Sequence, residues 1–378
     1  MAQIVKRVYQ LVNGLSKNFY LRHRFRVYEK IYKDKSKITG ISLEQTREGE
    51  AEYFKKWGRI SKFVSPAAYR YYSQYIGNDP RIVPELVLRK VIEPFFHPIE
   101  YQQFYNDKNM YDKLLPKSFL AESMFRCIEG VFCDGDYQPI INADDKLMLE
   151  MCKKHEKVIV KPTHNTGHGN SILMFEQKND GFVPMGHDKP FSIQFFKEYY
   201  NGNFVIQECL KQSSFTAFFN PTSVNTFRVF TYKSVKTNEV HVLGIVFRMG
   251  KTNTFVDNCD AGGTFIGVSH EGRFLNPNVF DHNGKKYTTF NGIDFSKEYK
   301  VPYMQDILDF SKAVGEQIYH NRSLDLDVML DENNKPRLIE YNVDACTAWL
   351  YQYSSGPVYG EYTDEVIDYI ESELKKRK

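Results

Sequence analysis

Three groups of residues in this 378-residue chain have types and spacing suited to handling phosphate. The first is VIVKPTHNTGHGNSILMF, where Lys161 ends one β-rich run and a glycine-containing loop separates it from another. Gly167 and Gly169 can take left-handed backbone angles and carry no side chain, so the loop can fold its N–H groups over an anion; a plain hairpin turn is the other reading. Two familiar phosphate loops do not fit. No Gly-Lys-Ser/Thr is present for a Walker loop, and Ile172 stands where a dinucleotide fingerprint needs its third glycine.

The second group is LDLDVMLDENNKPRLIEYNVD. Glu340 and Asn342 are two apart on one run and therefore share a strand face, and a hairpin through DENNKP can bring Asp327 opposite them. Two carboxylates and an amide oxygen converging in an apolar setting are costly without a cation, and hard oxygen ligands that leave room for phosphates suit Mg²⁺. The competing reading pairs Asp327 or Glu340 with a basic side chain, Arg337 being the local candidate. The third group is Arg228 in NTFRVFTY and Arg248 in HVLGIVFRMG, on consecutive β-rich runs. A guanidinium held there can grip a carboxylate or a phosphate bidentately, or lie exposed.

The elements that must position these residues divide at about residue 150. Over about the first hundred residues the pattern is helical: Ser42 and Gln45 read as a capping box for a helix to about Trp57. Ser65-Pro66 starts a helix that Gly77 stops, and Pro84 opens PELVLRKVIE, which Pro94 closes. From Val158 onward short β-rich runs (VIVK, SILMF, FVIQECL, TFRVFTY, HVLGIVFR, TFIGV, LDVML, RLIEYN) are mostly bounded by Gly, Asn or Pro, with helices at MQDILDFSKAVGEQIYH and the C-terminus. The class is α+β. Expected units are a basic helical region 1–85, a segment 86–150, a small subdomain 151–215 and a larger one 216–378.

Composition supports a folded chain: 42% is apolar and 15% aromatic, and a net charge of +3 gives no electrostatic case for a nucleic-acid partner. Residues 1–37 hold ten Lys/Arg against Glu29 and Asp34, so the remainder is net acidic. Ile4, Val8, Leu11, Val12 and Leu15 fall on one face of a helix, which predicts either a surface helix docked on its own protein or contact with a membrane surface. No signal-peptide pattern or membrane-spanning run is evident. Six cysteines without a C-x-x-C pair predict neither a zinc site nor a disulfide framework, and a cytoplasmic setting.

In chain order, Lys113, Lys161 with its glycine loop, FVIQECL, Arg228, Arg248, FVDNCDAGG, Asp327 and the E-Y-N of Glu340 to Asn342 together resemble the ATP-grasp superfamily. Within it the chain is most similar to the sugar-transfer-associated ATP-grasp proteins of polysaccharide gene clusters, over about residues 90–375. The resemblance implies two α+β subdomains gripping ATP. The mainly helical N-terminal region departs from the α/β domain usual ahead of them, and its basic start would fit peripheral contact with the inner membrane or a lipid-linked saccharide. It implies that Lys113 and Lys161 contact nucleotide phosphates, and that Asn165, Thr166, Gly167, His168 and Gly169 close over them. Gln207 and Leu210 would read adenine at a hinge, with Glu208 the remaining candidate for the ribose. Arg228 and Arg248 would hold the γ-phosphate, and Asp327, Glu340 and Asn342 one or two Mg²⁺. Asp257, Asn258, Gly262 and Gly263 are candidates for the acceptor pocket. The implied reaction is ATP-dependent joining of a carboxylate to an amine through an acyl phosphate, on a small molecule or glycan in cell-surface polysaccharide or capsule biosynthesis. A kinase acting on a sugar hydroxyl and a non-catalytic nucleotide-binding protein are the alternatives.

Overall fold

Hairpins dominate the second half of the chain, and several turn on asparagine. Asn179, Asn238 and Asn334 each sit in the left-handed region between paired strands, a conformation that asparagine tolerates better than most side chains. The computed structural model describes residues 2–163, 171–253, 259–344 and 346–377, with side chains from Ser16 onward, Lys17 excepted.

The smaller sheet contains β1 (Ser123–Ile128), β2 (Val131–Asp134), β3 (Lys157–Pro162), β4 (Leu173–Lys178), β5 (Gly181–Met185) and β6 (Phe204–Glu208). Its order is β2-β1-β6-β3-β4-β5, antiparallel throughout. Phe125, Val158, Val160, Phe175 and Phe204 form its core with Met148 and Phe196 from two short helices. Strands β1 and β2 did not stand out in the sequence. Arg126 interrupts the apolar run of β1, yet it is fully buried because Asp112 accepts its guanidinium and Tyr137 lies against it.

The larger sheet has β7 (Thr226–Lys233), β8 (Val240–Met249), β9 (Thr264–Gly267), β10 (Val279–Phe280) and β11 (Lys286–Tyr287). A separate ribbon, β12 (Thr289–Phe290) with β13 (Ile293–Asp294), precedes β14 (Ser323–Leu330) and β15 (Pro336–Asn342). The sheet order is β11-β10-β9-β8-β7-β14-β15. One face, with Phe227, Val229, Ile245 and Phe247, is covered by the helix Met304–Gln317. The other face, with Phe230, Tyr232 and Val246, is covered by N-terminal and C-terminal helices together, so β14 is buried along its whole length.

That helical cap joins distant sequence. Helix α1 (Ala2–Thr39) contributes Tyr32, α2 (Glu50–Gly58) Tyr53 and Trp57, and α3 (Pro66–Ile76) Tyr69, Tyr71 and Tyr72. These meet Tyr351 and Tyr353 of the helix Ala348–Ser354 and Val366 and Ile370 of the helix Thr363–Lys376. The face Ile4 to Leu15 lies outside the described side chains. No helix among the described residues is long and apolar enough to cross a membrane.

Ser65 caps α3 as its sequence predicts, accepting from the Ala68 N–H at 3.0 Å, and Gly77 ends it at φ 83°. Two helical expectations are corrected. Ser42 does not start α2: residues 41–48 turn back on themselves, and α2 begins at Glu50 behind Gly49, whose φ of 79° suits glycine. Pro94 does not close its helix either. A π-helical turn over Leu88–Ile92 precedes it, and Glu93–Phe96 continues, so the missing proline N–H falls at the start of a new turn where none is needed.

Candidate functional site

The cleft between the two sheets has its floor on the larger sheet, on the same face that the helical cap covers further along. Register brings the residues together: Asp327 on β14 lies opposite Glu340 on β15 on one side and opposite Arg228 on β7 on the other. Arg248 on β8 pairs with Thr226, placing it two residues along from Arg228 on the same face. Asn342 pairs with Asp325, one step further along β14.

Asp327 is clamped. Arg228 donates from Nε at 2.5 Å and from Nη2 at 2.9 Å to its two carboxylate oxygens, and Arg248 adds a bond from Nη1 at 2.9 Å. Burial pushes the Asp327 carboxyl up, but the two guanidiniums outweigh it and hold the group below its ordinary value. Asp325, fully buried, accepts from the Thr347 N–H and hydroxyl at 2.6 Å each and from the Tyr351 hydroxyl at 2.7 Å. Arg337 is not the partner of Asp327; it reaches Glu208 at 3.4 Å and Asp331 at 3.5 Å.

Two lysines face this floor. Lys161, the last residue but one of β3, is 8% exposed and lines the cleft. Lys108 places its ammonium 3.0 Å from Glu340, while its main-chain N–H donates to Thr163 just beyond β3 at 2.8 Å. Lys113, the sequence candidate, lies elsewhere: its ammonium sits 4.0 Å from the Tyr137 ring centre, and Lys108 is the lysine of this segment that lines the cleft.

Burial and the neighbouring Lys108 charge lower Lys161 to about 8, with Glu340 pulling the other way. A bound phosphate would add opposite charge and raise that value, so binding one would take up a proton in the window above it. Affinity for a phosphate-bearing ligand is expected to be full about a unit below that value and to fall by up to about tenfold per pH unit above it. Calorimetric titration across pH 7 to about 9.5 checks this, and Lys161→Arg, whose charge persists, is expected to abolish the slope.

At the hinge, Gln207 lies in β6 between β1 and β3, paired with Ser123 and Ile159, and its side chain donates to Ser123 Oγ at 3.0 Å. Glu208 accepts from the Glu122 N–H at 2.8 Å, and the Cys209 N–H donates to Lys157 at 3.1 Å. Leu210 follows past the end of β6, and all four residues line the cleft.

A family model described as sugar-transfer associated ATP-grasp matches residues 97–364. The chain belongs to this family. No curated protein matches it. Similar solved structures include the ATP-grasp ligase PsnB complexed with a minimal precursor, at 9% identity and TM-score 0.41, covering 72% of this chain and 62% of that one. D-cycloserine synthetase DcsG is 11% identical with TM-score 0.41, covering 74% of this chain and 73% of that one. N5-carboxyaminoimidazole synthetase from Staphylococcus aureus is 9% identical with TM-score 0.37, covering 70% and 53%. The chain thus spans about three-fifths of PsnB's length.

In this ATP-grasp chain Asn165, Thr166, Gly167, His168, Gly169, Asp257 and Asn258 lie outside the described residues. Gly262, exposed at φ 86°, and Gly263, buried just before β9, do not line the cleft, although Cys259 and Asp260 do. The cleft set Asp327, Glu340 and Asn342 presents hard oxygen donors on one face and fits Mg²⁺ in type, with the arginine and lysine partners of the two carboxylates to be displaced.

A second group, Glu93, His97 and Cys346, has donor atoms within 4.8 Å of one another. Its members are already engaged: Glu93 by Arg89 at 3.2 Å, and His97 through its Nε2–H to the Ser323 carbonyl at 3.0 Å. Burial holds the imidazole neutral, lowering it to about 4, and pushes the Cys346 thiol well up. The group ties the helical cap to β14.

Proposed function

We propose that the protein is an ATP-dependent carboxylate-amine ligase acting through an acyl phosphate. Its acceptor chemistry joins an amino acid or amino sugar to a carboxylate such as a uronic acid in cell-surface polysaccharide assembly. The observation that carries this reading is the clamp: two arginines on adjoining strands meet one carboxylate that faces a second carboxylate across a hairpin, with two lysines over them. Such a surface is matched to a polyphosphate and to the charge that develops on a transferring phosphoryl group.

The acceptor carboxylate oxygen attacks the γ-phosphorus, ADP departs, and the acyl phosphate forms. An amine then attacks the acyl carbon and expels phosphate, leaving an amide and one proton. Arg228 and Arg248 neutralise the γ-phosphate oxygens, while Lys161 and Lys108 neutralise those nearer ADP. Mg²⁺ would be held by Asp327, Glu340 and Asn342 and would supply charge neutralisation on the phosphates. Arg228 and Arg248 are bonded to Asp327 without ligand and would have to release it to reach a phosphate, which would free that carboxylate for the metal.

Product analysis tests this. With Mg·ATP and a panel of amino acids and uronic acids, ADP and free phosphate are expected in equal amounts, dependent on both a carboxylate and an amine. ADP without free phosphate, with the phosphate on a sugar hydroxyl, would make it a kinase; nucleotide binding without turnover would make it non-catalytic.

A further inference from the structure

The cleft is larger than a nucleotide needs. Its volume is about 2620 Å³, against roughly 300–1,000 Å³ for ordinary small-molecule sites. Part of its lining comes from the helical cap: Tyr28 and Lys35 of α1, Glu85 and Arg89 before the π-helical turn and within it, and Trp349. This part adjoins the phosphate end directly. Arg228 donates from Nη1 to Thr347 Oγ at 3.2 Å, and Thr347 is the residue from which the helix bearing Trp349 starts.

Lys35 is the unusual member. Its ammonium donates to the Tyr353 hydroxyl at 2.9 Å and to the His282 carbonyl at 3.2 Å, and lies 5.5 Å from the Trp349 ring centre and 5.2 Å from that of Tyr353. Among the described residues it forms no ion pair. Burial lowers its proton affinity, and the charges of Glu85 and Asp281 only partly restore it. Arg89 is engaged by Glu93, and Glu85 accepts from the Tyr72 hydroxyl at 2.8 Å, so Lys35 is the cation here held by rings and neutral oxygens. A half-buried ammonium on a cleft wall, with no carboxylate among the described residues bonded to it, favours an anionic ligand group. Tyr28 and Trp349, which line the same cleft, are aromatic side chains of the kind that takes the C–H face of a sugar ring.

We propose that this compartment is the acceptor subsite, that its ligand is an anionic saccharide unit, and that Lys35 of the first helix binds the anionic group. The assignment of the ligand as the acceptor rests on the ligase reading; the binding site itself does not. The anion is a carboxylate or a phosphate, and the two are separable by choice of sugar.

The test is calorimetric titration of the full chain, loaded with Mg²⁺ and a non-hydrolysable ATP analogue, using D-glucuronate, D-glucose 6-phosphate and D-glucose. One anionic sugar is expected to bind roughly tenfold or more tighter than glucose, and its identity tells carboxylate from phosphate. Lys35→Met is expected to erase that preference while nucleotide affinity stays within about twofold, and Lys35→Arg to retain it. In the unmodified protein, mass spectrometry after brief acetylation is expected to show Lys35 protected by the anionic sugar and not by glucose, which keeps the test intact if the variant fails to fold. Equal binding of all three sugars, binding of none, or unchanged preference in Lys35→Met overturns the proposal. If an anionic sugar binds through Lys35 yet no amine supports ATP consumption, the ligase reading fails and the site stands. If anionic acceptors are ligated at unchanged KM in Lys35→Met, the site fails and the ligase stands.

Discussion

Asp327→Asn is expected to destabilise the nucleotide-free protein by about 3–5 kcal/mol, the cost of removing one partner from a buried ion cluster. Its carboxylate takes three bonds from two guanidiniums, and all three side chains are about nine-tenths buried. Asparagine offers one neutral oxygen in place of two charged ones, so Arg228 and Arg248 lose the charge that offsets their desolvation. Asp325, 3.7 Å from Arg228 Nη1, softens the loss for that arginine, which favours the lower end of the range. Denaturant unfolding without nucleotide reads the effect. A midpoint within about 1 kcal/mol of the parent would mean that the clamp does not hold the floor of the cleft together.

Glu340→Ala is expected to behave oppositely. The Glu340 side chain is 35% exposed and its ion partner is Lys108, so the pair contributes at most about 1 kcal/mol. Turnover is another matter. Glu340 faces Asp327 and is one of two carboxylates in the proposed metal set, and its loss is expected to lower ATP consumption on the order of 10²–10³-fold, as removal of one charge-stabilising group does elsewhere. Steady-state rates with and without Mg²⁺, beside an unfolding curve, separate the two quantities. A variant that unfolds early, or one that turns over normally, would contradict this division, in which Asp327 serves stability as well as turnover and Glu340 turnover alone.

The division was partly legible in the sequence. Period-two spacing put Glu340 and Asn342 on one face, and the turn DENNKP, closing at Asn334, set a register in which Asp327 meets Glu340. The competing ion-pair reading contained a truth in the wrong place: Asp327 is paired, but with arginines on β7 and β8 rather than with Arg337. Local spacing cannot reveal that, because those pairings join strands some 80 to 100 residues apart.

Lys108 was missed for a similar reason. It and Lys113 occupy neighbouring short helical turns, and the bond from the Lys108 N–H to the Thr163 carbonyl ties the first of them to the end of β3 at the cleft. Asp107, which accepts from the Asn109 N–H at 2.9 Å, was the available signal for the turn, though not for its destination. Docking of the first helix on its own protein was one of the two sequence readings, but its partners were not legible: Tyr32, Trp57 and Tyr72 share one core with Tyr353 and Ile370, at the other end of the chain, and Lys35 lines the cleft.

The central claim is that a carboxylate is activated as an acyl phosphate, and oxygen transfer tests it most directly. With a carboxylate that supports turnover, labelled with ¹⁸O in its carboxyl group, the bridging oxygen of the acyl phosphate leaves with phosphorus. The account predicts one labelled oxygen in each phosphate released and one retained in the amide. Unlabelled phosphate, with both labelled oxygens left on the acceptor, would contradict the mechanism.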